Sequence, residues 1–88
     1  MWILYIIRCK DNSLYTGITS DLKKRLTQHR NNKGAKYTRG RGPFRLLLTE
    51  KYKTRSDAAK REYQIKQLSR TQKFHQILLG ISKRKNKI

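Results

Sequence analysis

Trp2-Ile3-Leu4-Tyr5-Ile6-Ile7-Arg8, a turn at Asp11-Asn12-Ser13, and Leu14-Tyr15-Thr16-Gly17-Ile18 form the stretch that decides the fold. The first segment is apolar on both of its alternating faces, Trp2, Leu4 and Ile6 on one and Ile3, Tyr5 and Ile7 on the other. A strand of that pattern is covered on both sides by other elements. Asp, Asn and Ser supply turn chemistry, so Leu14 to Ile18 reads as the returning arm of a hairpin.

Working outward, Ser20 is a good N-cap and places Asp21 in the positive first turn of a helix. Leu22, Arg25, Leu26 and His29 recur at helical spacing and carry that helix to about Asn31. From Asn31 to Pro43, Gly34, Gly40 and Gly42 punctuate a basic loop holding Lys33, Lys36, Arg39 and Arg41. Phe44 to Tyr52 reads as a third strand centred on Leu46, Leu47 and Leu48. Ser56 and Asp57 open a second helix, Ser69 caps a third, and Gly80 is placed to stop it. The order β-β-α-β-α-α implies an α+β fold, a small three-stranded antiparallel sheet flanked by helices. One domain over residues 1–80 and a basic, flexible tail over 81–88 is the expected organisation.

Eighty-eight residues allow one modest core. Charge is the strongest bulk signal: 23 Lys plus Arg against 5 Asp plus Glu give a formal net charge of +18. Self-repulsion at that imbalance opposes compactness, and a polyanion relieves it, because Lys and Arg contacts to phosphates release condensed counterions. Nucleic acid is therefore the leading partner, with a ribosomal or anionic-membrane surface as the bland competitor. Cys9 is the single cysteine, which excludes an internal disulfide and a cysteine-rich zinc site. The opening run is too short for a signal-peptide core and nothing approaches a membrane span, so the expected location is cytoplasmic.

Several polar residues stand where the pattern expects core. Tyr5 and Tyr15 lie one on each arm of the hairpin. Arg25 and His29 sit one helical turn apart on the stripe that faces the sheet. Gly17 falls inside a strand, where glycine often marks a close backbone approach. Among the acids, Asp11 belongs to a turn, Asp21 and Asp57 to helix first turns, and Glu50 to a strand end. Glu62 alone lies mid-helix, which makes it the leading carboxylate for a divalent metal. Simpler readings stand beside these: Arg25 can pair with Asp21, and Glu62 precedes Lys66 by the four residues of an ordinary helix pair.

Ile3-Leu4-Tyr5, Tyr15-Thr16-Gly17, Arg25, His29 and Glu62 together resemble the GIY-YIG endonuclease superfamily in type, order and spacing, over roughly Trp2 to Lys73. Leu14-Tyr15-Thr16-Gly17-Ile18-Thr19 and Lys33-Gly34-Ala35-Lys36 are similar to stretches of its small single-domain bacterial members. The resemblance implies phosphodiester hydrolysis in DNA with one divalent metal, usually magnesium. It implies Glu62 as metal ligand, Arg25 as neutraliser of charge on the scissile phosphate, Tyr5 or Tyr15 as helper in deprotonating water, and His29 as partner. An unperturbed tyrosine has a pKa of about 10, so cations must depress it for such a role. Gly17 would leave room for phosphate and metal, and Lys33, Lys36, Arg39 and Arg41 would meet the backbone. Ile18 departs from the pattern, since excision-repair members carry a lysine there. The alternative reading is a non-catalytic module that keeps the fold and binds DNA or RNA through its basic surface. No recognition domain is attached, so targeting would come from shape or from a protein partner.

Overall fold

The computed structural model describes the backbone of residues 1–85 and the side chains of residues 1–80. Its elements are β1 (Trp2–Arg8), β2 (Leu14–Thr19), α1 (Leu22–Arg30), a single 3₁₀ turn (Lys36–Thr38), β3 (Arg45–Tyr52), α2 (Arg55–Lys66) and α3 (Arg70–Lys85). The three strands form one antiparallel sheet in the order β2-β1-β3, as the α+β reading expects.

β1 is central because its residues are apolar on both faces. Leu4, Tyr5, Ile6 and Ile7 have no exposed surface. Leu4 and Ile6 join Leu48 of β3, Ile65 of α2 and Ile77 of α3 in the hydrophobic core. The opposite face carries Tyr5 and Ile7, and here the register matters: Tyr5 pairs with Gly17 across β2, and Ile7 pairs with Tyr15. Directly opposed residues share a face, so Tyr5, Gly17 and Tyr15 lie together on the side away from the core cluster. A register shift against β3 falls between Ile6, which pairs with Leu48, and Ile7, which pairs with Leu46.

Three boundary expectations are corrected. Asp21, not Ser20, caps α1: its backbone is extended and its carboxylate accepts from the Lys24 N–H at 3.1 Å. Thr54 caps α2, its hydroxyl accepting from Asp57 N–H, so the helix starts at Arg55 ahead of Ser56. Gly80 does not stop α3, which runs on to Lys85. A Cβ at Gly80 would collide with Cδ1 of Leu48, so this glycine lets the helix approach β3. The stretch expected as a tail therefore begins as helix, and its residues 86–88 lie outside the described residues. Ser69 does cap α3, in a reciprocal box: Ser69 Oγ accepts from Gln72 N–H, and Gln72 Oε1 accepts from Ser69 N–H.

The basic loop is tied down at several points. Asn32 takes a left-handed conformation (φ 58°) just past α1, and Lys33 N–H returns to the Gln28 carbonyl. Asn32 Oδ1 accepts from Gly40 N–H, Lys10 N–H donates to the Arg41 carbonyl, and Arg41 pairs with Asp11 in the hairpin turn. The loop is thereby folded back over the end of the sheet.

Candidate active site

The Tyr5 phenol is the centre of a buried polar cluster. Its oxygen lies 2.8 Å from Nε2 of His29 and accepts from Nε of Arg25 at 3.4 Å. α1 delivers both partners because positions four apart lie one turn above each other on one stripe. Arg25 thus faces the sheet and does not take Asp21 as partner; its Nη1 donates instead to Gln28 at 3.1 Å. His29, with no exposed surface, reaches Thr38 Oγ1 through Nδ1 at 2.8 Å. Gly34 makes that possible, since a Cβ there would strike the imidazole.

Tyr15 completes the cluster from β2. Its ring lies 6.3 Å from that of Tyr5 and 5.4 Å from that of His29, and stacks on Tyr37 at 6.0 Å. Tyr15 keeps some exposed surface, whereas Tyr5 keeps none. Beside Tyr15 lies a groove of about 420 Å³ lined by Leu14, Tyr15, Thr16, Tyr37, Lys66 and Lys73. Glu62 occupies the sheet-facing stripe of α2, between the buried Ala58 and Ile65, and pairs with Lys66 at 3.3 Å. The ordinary helix pair is therefore real, and its Lys66 lines the groove.

Electrostatics alter one expectation. Burial pushes the Tyr5 phenol above its ordinary value of 10, outweighing the Arg25 hydrogen bond that pulls it down. The cation-depressed tyrosine expected from composition is thus not found at Tyr5, because removal from water dominates. Burial, and then the charge of Arg25, lower the pKa of His29, which favours a neutral imidazole. The phenol hydrogen bond raises that of Arg25, which stays cationic.

Gly17 plays a different part from the one expected. A Cβ there would stand 2.6 Å from the Tyr5 hydroxyl oxygen and 2.8 Å from its Cζ, so the space it leaves is filled by the Tyr5 phenol. Lys33, Lys36 and Arg39 are exposed on the loop. Arg41 is half-buried, paired with Asp11 and laid over the Tyr37 ring at 4.5 Å, so its charge helps hold the loop. Thr38, Tyr37 and Gly34 belong to the site and were not singled out from sequence. The string Lys33-Gly34-Ala35-Lys36 hints at Gly34 but stops short of Tyr37 and Thr38.

Residues 1–75 match the family model described as the GIY-YIG catalytic domain. The chain belongs to the GIY-YIG family. It is 55% identical over 71 residues to a UPF0213 protein of Oceanobacillus iheyensis, covering 81% of this chain and 83% of that one. A UPF0213 protein of Bacillus halodurans, solved by solution NMR, superimposes with a TM-score of 0.60 at 48% identity, covering 90% of this chain and 85% of that one. A protein of E. faecalis, also solved by solution NMR, gives 0.61 at 35% identity with the same coverage. These are small proteins, and membership places the chain in a nuclease family whose domains act on nucleic acid. No helix among the described residues is long and apolar enough to cross a membrane.

A divalent metal is tested by the donors present. Among the described residues no group of three or more His, Cys, Asp or Glu side chains could cage an ion. Magnesium needs no such cage: it keeps several waters and binds through one or two carboxylates plus substrate phosphate. Glu62, paired with a lysine that lines the groove, fits that mode, with Lys66 as the charge it would have to release.

Proposed function

We propose that this protein is a metal-dependent endonuclease hydrolysing phosphodiester bonds in DNA. The observation that carries the reading is the convergence of Tyr5, Tyr15, Arg25 and His29 on one face of the sheet, beside a lysine-edged groove whose Lys66 pairs with Glu62. The groove would take the nucleic-acid backbone, with Lys66 and Lys73 countering phosphate charge. Lys33, Lys36 and Arg39 extend the basic surface along the loop. Glu62 would hold Mg²⁺, which when bound polarises a phosphoryl oxygen and stabilises the leaving charge.

Arg25 stays cationic and has one edge on the Tyr5 oxygen, so it is suited to neutralise charge developing on the scissile phosphate. Tyr15, with exposed surface, is the tyrosine able to touch an attacking water. Tyr5 acts from behind it, its hydroxyl held between Arg25 and a neutral His29.

The test is nicking of supercoiled and branched DNA by pure protein in magnesium, with Glu62→Gln and Arg25→Ala alongside. Loss of about 10²–10³ in rate for Arg25→Ala is expected. Wild type and Glu62→Gln cleaving indistinguishably would sink the assignment. The high pKa of Tyr5 and the apolar Ile18 favour a second reading, a binding module without turnover. It predicts binding that weakens steeply with salt and no cleavage of any substrate.

A further inference from the structure

We propose that Thr38 is a positioning residue that fixes His29 as its Nδ1–H tautomer, so that Nε2 presents a lone pair to the Tyr5 hydroxyl. The directions follow from what each atom can do. The Ala35 carbonyl can only accept, and the Thr38 hydroxyl donates its one hydrogen to it at 2.9 Å. Toward Nδ1 of His29, 2.8 Å away, Thr38 Oγ1 is left with lone pairs alone, so Nδ1 carries the hydrogen. In a neutral imidazole Nε2 is then bare and accepts from Tyr5 O–H at 2.8 Å. The far end agrees: Arg25 Nε can only donate, which uses a lone pair of the Tyr5 oxygen and leaves its hydrogen for His29.

The chain runs Arg25 to Tyr5 to His29 to Thr38 to Ala35, every hydrogen pointing the same way. Thr38 is 1% exposed, so no bulk water competes for Nδ1. The 3₁₀ turn holds it in place, Thr38 N–H also donating to the Ala35 carbonyl. The groups facing the imidazole are Tyr5 from β1, Tyr15 from β2, Arg25 from its own helix, and Phe44 beyond the loop. Among the described residues, Thr38 is the partner of Nδ1. The effect is to turn the Tyr5 hydrogen toward His29 and leave that oxygen's lone pairs on the side of Arg25.

The importance of this for cleavage rests on the nuclease reading, but the tautomer does not. The experiment is two-bond ¹H–¹⁵N correlation on protein with ¹⁵N-labelled histidine rings at neutral pH, with His75→Gln separating the two histidines. Wild-type His29 should give the Nδ1–H pattern. Thr38→Val should lose it as the dominant form, Thr38→Ser should keep it, and Tyr5→Phe should keep it because the order comes from the Thr38 end. An Nε2–H or doubly protonated wild-type ring overturns the proposal, as does an unchanged pattern in Thr38→Val or a switch in Tyr5→Phe. If Thr38→Val does not fold, the wild-type, Thr38→Ser and Tyr5→Phe spectra still decide. Where DNA is cleaved, Thr38→Val should lower kcat by about tenfold with little change in KM, and Thr38→Ser should restore it. An Nδ1–H ring in a protein that cleaves nothing would leave the tautomer standing and sink the nuclease reading alone.

Discussion

The two faces of β1 are built from opposite materials. One buries Leu4 and Ile6 against Leu48, Ile65 and Ile77, with nothing polar among them. The other buries a phenol, an imidazole and a threonine hydroxyl, all essentially without exposed surface and all hydrogen-bonded. Burying polar groups gains less than burying hydrocarbon and costs about 1–3 kcal/mol for each group left unpaired. A chain this small would fold more simply with both faces apolar. The polar face is what a site requires, and the apolar face supplies the stability that tolerates it.

The largest expected effect comes from breaking the apolar face. Ile65→Ala should cost about 2–5 kcal/mol in urea denaturation, a large fraction of the stability of a domain this size. The contrast with the polar face would be lost if Ile65→Ala cost no more than Tyr5→Phe. That second change leaves His29 Nε2 without its donor and Arg25 Nε without its acceptor, for about 1–3 kcal/mol.

Gly17→Ala probes the fit between the hairpin arms. The new methyl would stand 2.6 Å from the Tyr5 oxygen, so overpacking should cost about 1–3 kcal/mol. Combined with Tyr5→Phe, which removes that oxygen but leaves Cζ at 2.8 Å, the two losses should sum to less than additive. Strict additivity would mean that Gly17 is not there for Tyr5.

Much of this was legible in the sequence. Apolarity on both faces over Trp2 to Ile7 marks a strand covered on both sides, and the Asp11-Asn12-Ser13 turn brings Tyr15 back beside Tyr5. Helical spacing put Arg25 and His29 on one stripe. What stayed hidden depended on packing between distant segments. Ser20 and Asp21 are equally good caps on paper, and only the folded backbone, with Asp21 N–H on Thr19 Oγ1 and its carboxylate on Lys24 N–H, chooses between them. Gly80 looks like a stop signal until Leu48 is placed against it. Thr38 lies in a stretch with no periodicity, and its meaning appears only when the loop folds back onto His29.

A smaller effect separates the faces by pH. His29 has a folded pKa below its ordinary 6.5, so the folded protein binds fewer protons than the unfolded chain just below that value. Its contribution is full above about pH 6.5 and is lost as pH falls from there toward the folded pKa. Tyr5 has the opposite sign: raised above 10, it contributes fully below pH 10 and loses that as pH rises through its folded value. Tyr52, pushed up to about 12 by burial and its bond to Glu50, shares that alkaline limb, so the acid limb is the cleaner one. Asp11, held below its ordinary 3.8 by hydrogen bonds from Ser13, responds only at lower pH. Melting of wild type should therefore fall between pH 7.5 and 5.5, and His29→Gln should flatten that slope. Ile65→Ala should lower the whole curve and keep its shape, since Ile65 exchanges no proton. A flat wild-type profile would mean that His29 is as easily charged inside the protein as in water, and the buried neutral imidazole would have to be given up.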